Sequence, residues 1–267
     1  MSHSLRPWWR LLIAAALVVV GLVAWAGREG LLRSQDDETW ARCQREGVLR
    51  VGMDASFPPF EIEEGGSFRG YDVELAQEIG RRLGLRALLL NVHFDGLYDA
   101  LAAGRCDVLI SALPYDPQRT RDVAYTGGYF NAGQVLVTRE DGPHLGSAAD
   151  LAGHRVAVEM GSLAHQVARR LRERDRLALT IEAARTGEEA LALVREGRAD
   201  AAIVDAIAAR SALRAQQGLA IRGAPLTDES FVIAVRRDSP RLFAAVSDAL
   251  NDLRAEGWLE ALAARWL

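Results

Sequence analysis

A chain of 267 residues with 49% hydrophobic and 25% charged residues has the balance of a soluble globular protein of one large or two modest domains, which excludes a disordered or fibrous chain. The formal charge of −4 is small, and the arginines, which supply every fixed cation because there is no lysine, are dispersed. That pattern argues against a nucleic-acid footprint.

The first segment stands apart. Arg6 and Arg10 are its only charges before an apolar run from Leu11 to Ala26, and the first acid is Glu29. The run is shorter than the ~20 residues that span a bilayer, and it ends in Ala24-Trp25-Ala26, an A-x-A pattern. Residues 1–26 therefore read as an export signal cleaved after Ala26. Trp8 and Trp9 lengthen the run and suit a membrane interface, so an uncleaved anchor is the alternative. Either form places the protein outside the cytoplasm, in a periplasm or on the outer face of the cytoplasmic membrane. No cysteine sits just after the run, which disfavours a lipid anchor, and loss of Arg6 and Arg10 brings the formal charge to −6.

Residues 27–46 read as a polar linker and a short helix. There are two cysteines, Cys43 shortly before a strand at Val48–Gly52 and Cys106 immediately before a strand starting at Asp107. If those strands are parallel neighbours, both cysteines lie at one sheet edge and an oxidising compartment permits a disulfide. Two buried free thiols are the alternative. Asp54, Phe57 and Phe60 follow the first strand, with Pro58-Pro59 stiffening their loop. Gly65-Gly66 between apolar flanks predicts a hairpin-like turn. Tyr71 to Leu83 is the clearest helix, with Val73, Ala76, Ile79 and Leu83 on its buried face and Gly84 at the C-cap position. Phe57 and Phe94 are candidate cleft walls, although burial is the usual fate of an isolated phenylalanine. His93, beside Phe94, reads as structural.

The stretch Asp107 to Arg119 runs a short apolar strand, Val108 to Ile110, into a small-residue turn and then a helix start. Asp116 is a candidate N-cap with Pro117 at the first helical position. Arg119 then falls in the first helical turn, where the macrodipole disfavours a cation unless the arginine and nearby backbone N–H groups share a bound carboxylate. A solvated surface arginine is the other reading.

A weak repeat divides the chain. Residues 100–110 (ALAAGRCDVLI) recur in outline as 193–203 (LVREGRADAAI), a unit of helix, glycine stop and strand. Asp107 and Asp200 match across it at strand starts, on the far side from where α/β ligands bind, so both read as structural. The second lobe opens with the strand Arg155–Glu159, then Gly161, Ser162 and a helix from Leu163, another helix N-terminus at a strand end. Asp205 closes the strand from Ala201 and precedes a helical stretch; it either caps that helix or also pairs with a ligand ammonium. Gln134–Thr138 and Phe231–Val235 read as the two crossings between lobes. The expected division is lobe 1 over 47–136 plus 233–267 and lobe 2 over 137–232. There is no nucleophile elbow, HExxH or P-loop, and the five histidines lack metal-ligand spacing, so no catalytic residue, metal or cofactor is expected.

From Gly47 to Leu267 the chain resembles the polar amino-acid family of extracytoplasmic solute-binding proteins, family 3, that serve ABC importers. The segments LRVGMDASFPPFE, GYDVELAQEIGRRLG, FDGLYDALAAGRCDVLIS, DPQRTRDVAYT, DLAGHRVAVEMGS and GRADAAIVD carry the likeness in the family's order. The resemblance implies an α/β fold of two lobes, periplasmic-binding-protein-like of type II, joined by two crossing strands, in a monomer that docks on an ABC permease after trapping an amino acid or related small acid. It implies that Arg119 grips the ligand α-carboxylate, aided by backbone N–H groups near Ser162, and that Asp205 takes the α-ammonium. Phe57 and Phe94 would flank the ligand side chain, Asp54 would stand at its far end with Glu159 reaching the same region, and Ser111 and Ala112 would complete the set from the turn.

Where the family usually has Ser or Thr, this chain has Pro114, which offers neither hydroxyl nor N–H. Two lost donors to a buried charged group cost on the order of 1 to 3 kcal/mol each unless Ser111, Tyr115 or water replaces them. Two other classes stay open: a periplasmic dehydratase of cyclohexadienyl or prephenate type, and a membrane-tethered amino-acid sensor lobe.

Overall fold

A computed structural model describes residues 37–215 and 218–267; the expected export segment lies outside them. The chain begins with helix α1 (Glu38–Glu46), capped by Asp37 through Trp40 N, and enters strand β1 (Val48–Met53). A hairpin sheet follows, β2 (Ser56–Phe57), β3 (Glu61–Glu64) and β4 (Ser67–Arg69). Its β3–β4 turn is Gly65-Gly66, both at positive φ, as a tight primed turn requires. Helix α2 (Tyr71–Arg82) is one residue shorter than the sequence reading, and Gly84 lies at φ +69 just past its end. Then come β5 (Arg86–Asn91), α3 (Leu97–Ala102), β6 (Val108–Leu109), β7 (Val123–Tyr125) and β8 (Phe130–Asn131).

The second lobe comprises β9 (Gln134–Arg139), β10 (Arg155–Glu159), α4 (Leu163–Glu173), β11 (Thr180–Ala184), α5 (Gly187–Arg195), β12 (Ala201–Asp205), α6 (Ala206–Ala215) and β13 (Leu219–Arg222). The chain returns through β14 (Ser230–Phe231) and β15 (Ala234–Arg236) and closes with α7 (Pro240–Ala255) and α8 (Trp258–Trp266). Among the described residues no helix is long and apolar enough to cross a membrane.

The two sheets repeat one plan. The first has order β5-β1-β6-β15-β7 and the second β11-β10-β12-β9-β13. In each, three parallel strands meet a strand that runs the other way, β15 beside β6 and β9 beside β12. Those antiparallel strands orient the lobes. Asp205 pairs with Gln134, and Leu109 pairs with Ala234, residues that lie just past the two-stranded β8–β14 ribbon. The C-terminal ends of both parallel sets therefore adjoin the same hinge, which is where α/β folds place ligands.

Two expectations are corrected. The crossing is not Gln134–Thr138, and of Phe231–Val235 only Phe231 belongs to a crossing strand. All of β9 belongs to the second sheet and all of β15 to the first, so the chain changes lobe at the two-residue strands β8 and β14. Gly133 marks the place: a Cβ there would lie 2.1 Å from Thr227 O, so only glycine lets the two passing backbones approach. The cysteines are free thiols, not a disulfide. Cys43 belongs to the apolar cluster that includes α2 and α7, whereas Cys106 belongs to the separate cluster built on Leu97, Ala100 and Leu101 of α3. A common strand edge does not bring side chains together when they pack into different clusters. Burial pushes the Cys43 thiol up to about 12 and the Cys106 thiol up to about 11, which keeps both protonated and unreactive.

The paired aspartates are structural, as their strand-start positions imply. Asp107 is buried and accepts from Arg50 N and Arg50 Nη2, both at 2.8 Å, and from Arg42. Asp200 accepts from Arg155 N at 2.8 Å in the equivalent place.

Candidate functional site

In lobe 2 the ends of β10, β11 and β12 each lead into a helix N-terminus, a ready source of unsatisfied N–H groups. Ser162 caps α4, accepting from His165 N at 3.2 Å and donating to Glu159 O at 2.8 Å. Glu159 Oε2 accepts from Gly187 N, the first residue of α5, at 3.0 Å. Asp205 Oδ1 accepts from Ala208 N of α6 at 2.8 Å. Each carboxylate thus spends one oxygen on a helix start, and neither forms an ion pair among the described residues. Glu159, Ser162 and Asp205 line one cavity of about 210 Å³ with Gln134, Leu163 and Gly187. The capping reading of Asp205 and the cleft-facing reading are therefore compatible.

Lobe 1 gathers a second group at the ends of β1, β5 and β6. Asp54 ties them: its Oδ2 accepts from Phe94 N at 2.8 Å, its Oδ1 from Ser56 Oγ at 2.7 Å, and its N–H donates to Ser111 Oγ at 2.9 Å. Phe57 and Phe94 are 46% and 44% exposed, which sets aside the core reading; Phe60 is the buried ring, stacked on Phe57 at 5.7 Å. His93, read as structural, has an exposed side chain 3.9 Å from Asp95. Ser111 and Ala112 are buried, and Ser111 Oγ donates inward to Glu61 at 2.8 Å. The serine hydroxyl is committed to the lobe, so it does not replace the donors that Pro114 lacks. Pro114 bridges Phe231 of the hinge ribbon, and the adjoining bond runs from Val232 N to Leu113 O at 2.9 Å, so no N–H is needed from residue 114.

Arg119 departs from expectation locally. Asp116 does cap the turn, accepting from Gln118 N at 2.8 Å, but the helix is a single 3-10 turn, Pro117–Arg119. One such turn has no macrodipole to oppose a cation. The guanidinium is half-exposed, 3.3 Å from Asp116, and lies 4.0 Å over the Tyr98 ring, at one wall of a separate cavity of about 420 Å³. Arg119 does not share the Asp205 cavity.

Sequence reasoning finds Phe57 and Phe94 on the lobe 1 rim but misses Tyr115, Met160 and Leu163. The exposed large apolar side chains include Phe57, Phe94 and Tyr115 on lobe 1 and Met160 and Leu163 on lobe 2. The buried face of α4 is Ala164, Val167, Ala168 and Leu171; Leu163 stands one turn before Val167 on the same stripe, yet at the first position of the helix it is 42% exposed. Helical spacing alone gives no sign of that exposure. Exposed apolar side chains thus stand on both lobes, which one ribbon joins, and such exposed groups mark a contact surface.

A family model described as bacterial extracellular solute-binding proteins, family 3, matches residues 49–267. The chain belongs to that family. Among family-3 and related binding proteins, it is similar to the L-cystine-binding protein TcyJ of Escherichia coli, with 28% identity covering 100% of this chain and 97% of the relative. It is also similar to the arginine-binding extracellular protein ArtP of Bacillus subtilis, with 27% identity over 97% of each. Among solved structures, the L-cystine solute receptor of Neisseria gonorrhoeae in its unliganded open conformation matches with TM-score 0.69 and 25% identity, covering 85% of this chain and 95% of that one. Membership of family 3 makes the protein a bacterial extracellular solute-binding protein, and the relatives named above bind amino acids. The dehydratase alternative has less support, since the curated relatives are binding proteins.

Proposed function

We propose that one amino-acid-like solute is held between the lobes by Asp205 and Arg119 and that the closed form docks on the permease. The observation that carries this reading is the second Asp205 oxygen, left over from helix capping in a cavity beside the hinge. That oxygen takes the α-ammonium. Arg119 exchanges Asp116 for the α-carboxylate while keeping its stack on Tyr98, and the N–H groups at the start of α4 assist. Phe57 and Phe94 wall the side chain, and Glu159 and Asp54 stand at its polar end. The head group forgoes the donors absent at Pro114. The protein acts as a monomer, exported by its N-terminal segment, which is cleaved after Ala26 or kept as an anchor.

A thermal-shift screen of the common amino acids together with L-cystine is expected to yield a stabilising ligand. Binding at ~100 times the dissociation constant adds about 2.7 kcal/mol. Flat curves for every compound, with protein verified as ligand-free, would count against an amino-acid ligand.

A further inference from the structure

Beneath the lobe 1 turn lie two acids that ligand contact does not use. Glu61 opens β3 and Asp72 lies in the first turn of α2; they are 1% and 0% exposed. Glu61 Oε1 accepts from Ser111 Oγ at 2.8 Å, and the Ser111 hydroxyl in turn accepts from Asp54 N at 2.9 Å. Asp72 Oδ2 accepts from Tyr129 Oη at 2.9 Å and from Ala112 N. The remaining oxygens, Glu61 Oε2 and Asp72 Oδ1, are buried with no donor facing them. The two carboxyl groups lie side by side, because the groups that bind them, Ser111 Oγ and Ala112 N, belong to adjacent residues of one turn. No arginine or histidine pairs with either among the described residues. Around the pair stand Asp54 beyond Ser111, and Tyr129 and Tyr71 on the inner side; Arg69 of β4 instead pairs with Glu64 at the surface. Arg210, Arg254 and Glu260 act on Tyr71 from the groove behind it.

Two adjacent dry carboxylates without a cation cannot both be ionised, but a single proton between them satisfies both bare oxygens. The charge belongs on Asp72, which has two donors on one oxygen and the N-terminal turn of α2 around it. We propose that Glu61 is neutral, donates its proton to Asp72, and is a positioning residue for the ligand turn, holding Ser111 and Ala112, and through Ser111 the backbone of Asp54. Ala112 needs such a hold, because it sits at φ +41, a left-handed conformation unusual for a residue with a side chain. Burial, reinforced by the Asp72 charge, pushes the Glu61 carboxyl up to about 11, while the donors on Asp72 limit its rise to about 6. The functional meaning of the turn rests on the proposed ligand cleft; the shared proton does not.

Glu61→Gln tests this directly. Its amide donates to Asp72 and its carbonyl accepts from Ser111, so it reproduces the neutral acid without needing a proton. An acid whose folded value lies above its unfolded value of 4.5 stabilises fully below 4.5 and loses that stabilisation as pH rises toward the folded value. Between pH 7 and 9 the wild-type folding constant should therefore fall about tenfold per pH unit relative to that of E61Q. Chemical denaturation of the full chain at several pH values reads this. In the same samples, hydrogen exchange at the Ala112 and Asp54 amides should be as slow in E61Q as in wild type, and at least about tenfold faster in Glu61→Ala. A ratio of folding constants independent of pH, or unprotected turn amides in folded E61Q, would overturn the proposal. If Glu61→Ala does not fold, the E61Q pH series still decides. None of these readouts needs a ligand, so failure of the amino-acid assignment would leave them unchanged.

Discussion

Replacing Asp107 with alanine is expected to destabilise the protein by about 3 kcal/mol, whereas the same change at its repeat partner Asp200 should cost about 1 kcal/mol or less. The residues occupy equivalent places, but their surroundings differ. The Asp107 side chain is 1% exposed and joins three pieces of chain: Arg42 of α1, the backbone and guanidinium of Arg50 in β1, and its own position before β6. Removing it leaves Arg50 N and two arginines, which are 17% and 28% exposed, without their common acceptor. Truncating one side of a buried ion pair costs about 3–5 kcal/mol, and the partial exposure of the arginines places this case at the low end. The Asp200 side chain is 30% exposed and Arg155 45%, so water replaces the lost partner. Urea denaturation of the two variants measures the difference. Because both aspartates lie at the ends of the strands opposite the cleft, ligand affinity in the folded variants should be unchanged. Equal losses of stability would mean that burial does not distinguish the two repeats.

The second large effect is on binding. Asp205→Asn is expected to weaken the amino-acid ligand by at least about 30-fold while leaving the thermal midpoint of the ligand-free protein near wild type. Loss of one partner from a desolvated charge pair costs about 2–5 kcal/mol, and each 1.4 kcal/mol is tenfold. The asparagine oxygen can still accept from Ala208 N, so the helix cap survives. Asp205→Ala should lose binding and also about 1 kcal/mol of stability, because the cap goes too. The pair of variants separates the two roles of this residue. Arg119→Ala should likewise lose binding without unfolding, since the guanidinium is half-exposed and held by Asp116 and Tyr98 alone. Retained affinity in Asp205→Asn would leave the residue as a helix cap only.

Much of this architecture is legible in the chain. The repeated helix, glycine and strand unit around Asp107 and Asp200 carries the two lobes, and the Gly65-Gly66 turn and the Tyr71 helix stand out by local chemistry. The hinge does not, because β8 and β14 are two residues each, too short for a periodic signal, while the apolar run from Gln134 draws attention to a strand that belongs to lobe 2. The cysteine geometry is hidden for a related reason: sequence position locates a strand edge but not the apolar cluster into which each side chain packs. Asp72 looks like an ordinary acid in a first helical turn, and Glu61 like a polar position in a hairpin; only packing turns them toward each other. For Arg119 the ligand role comes from the family resemblance, and its stack on Tyr98 joins residues from different elements and leaves no local pattern.

Closure of the lobes on a bound solute is the central claim, and small-angle X-ray scattering tests it most directly. The radius of gyration of the ligand-free protein should fall when the stabilising amino acid from the thermal screen is added to saturation, and should not change for Asp205→Asn at the same ligand concentration. A wild-type radius of gyration that stays constant while calorimetry records stoichiometric binding would contradict the account.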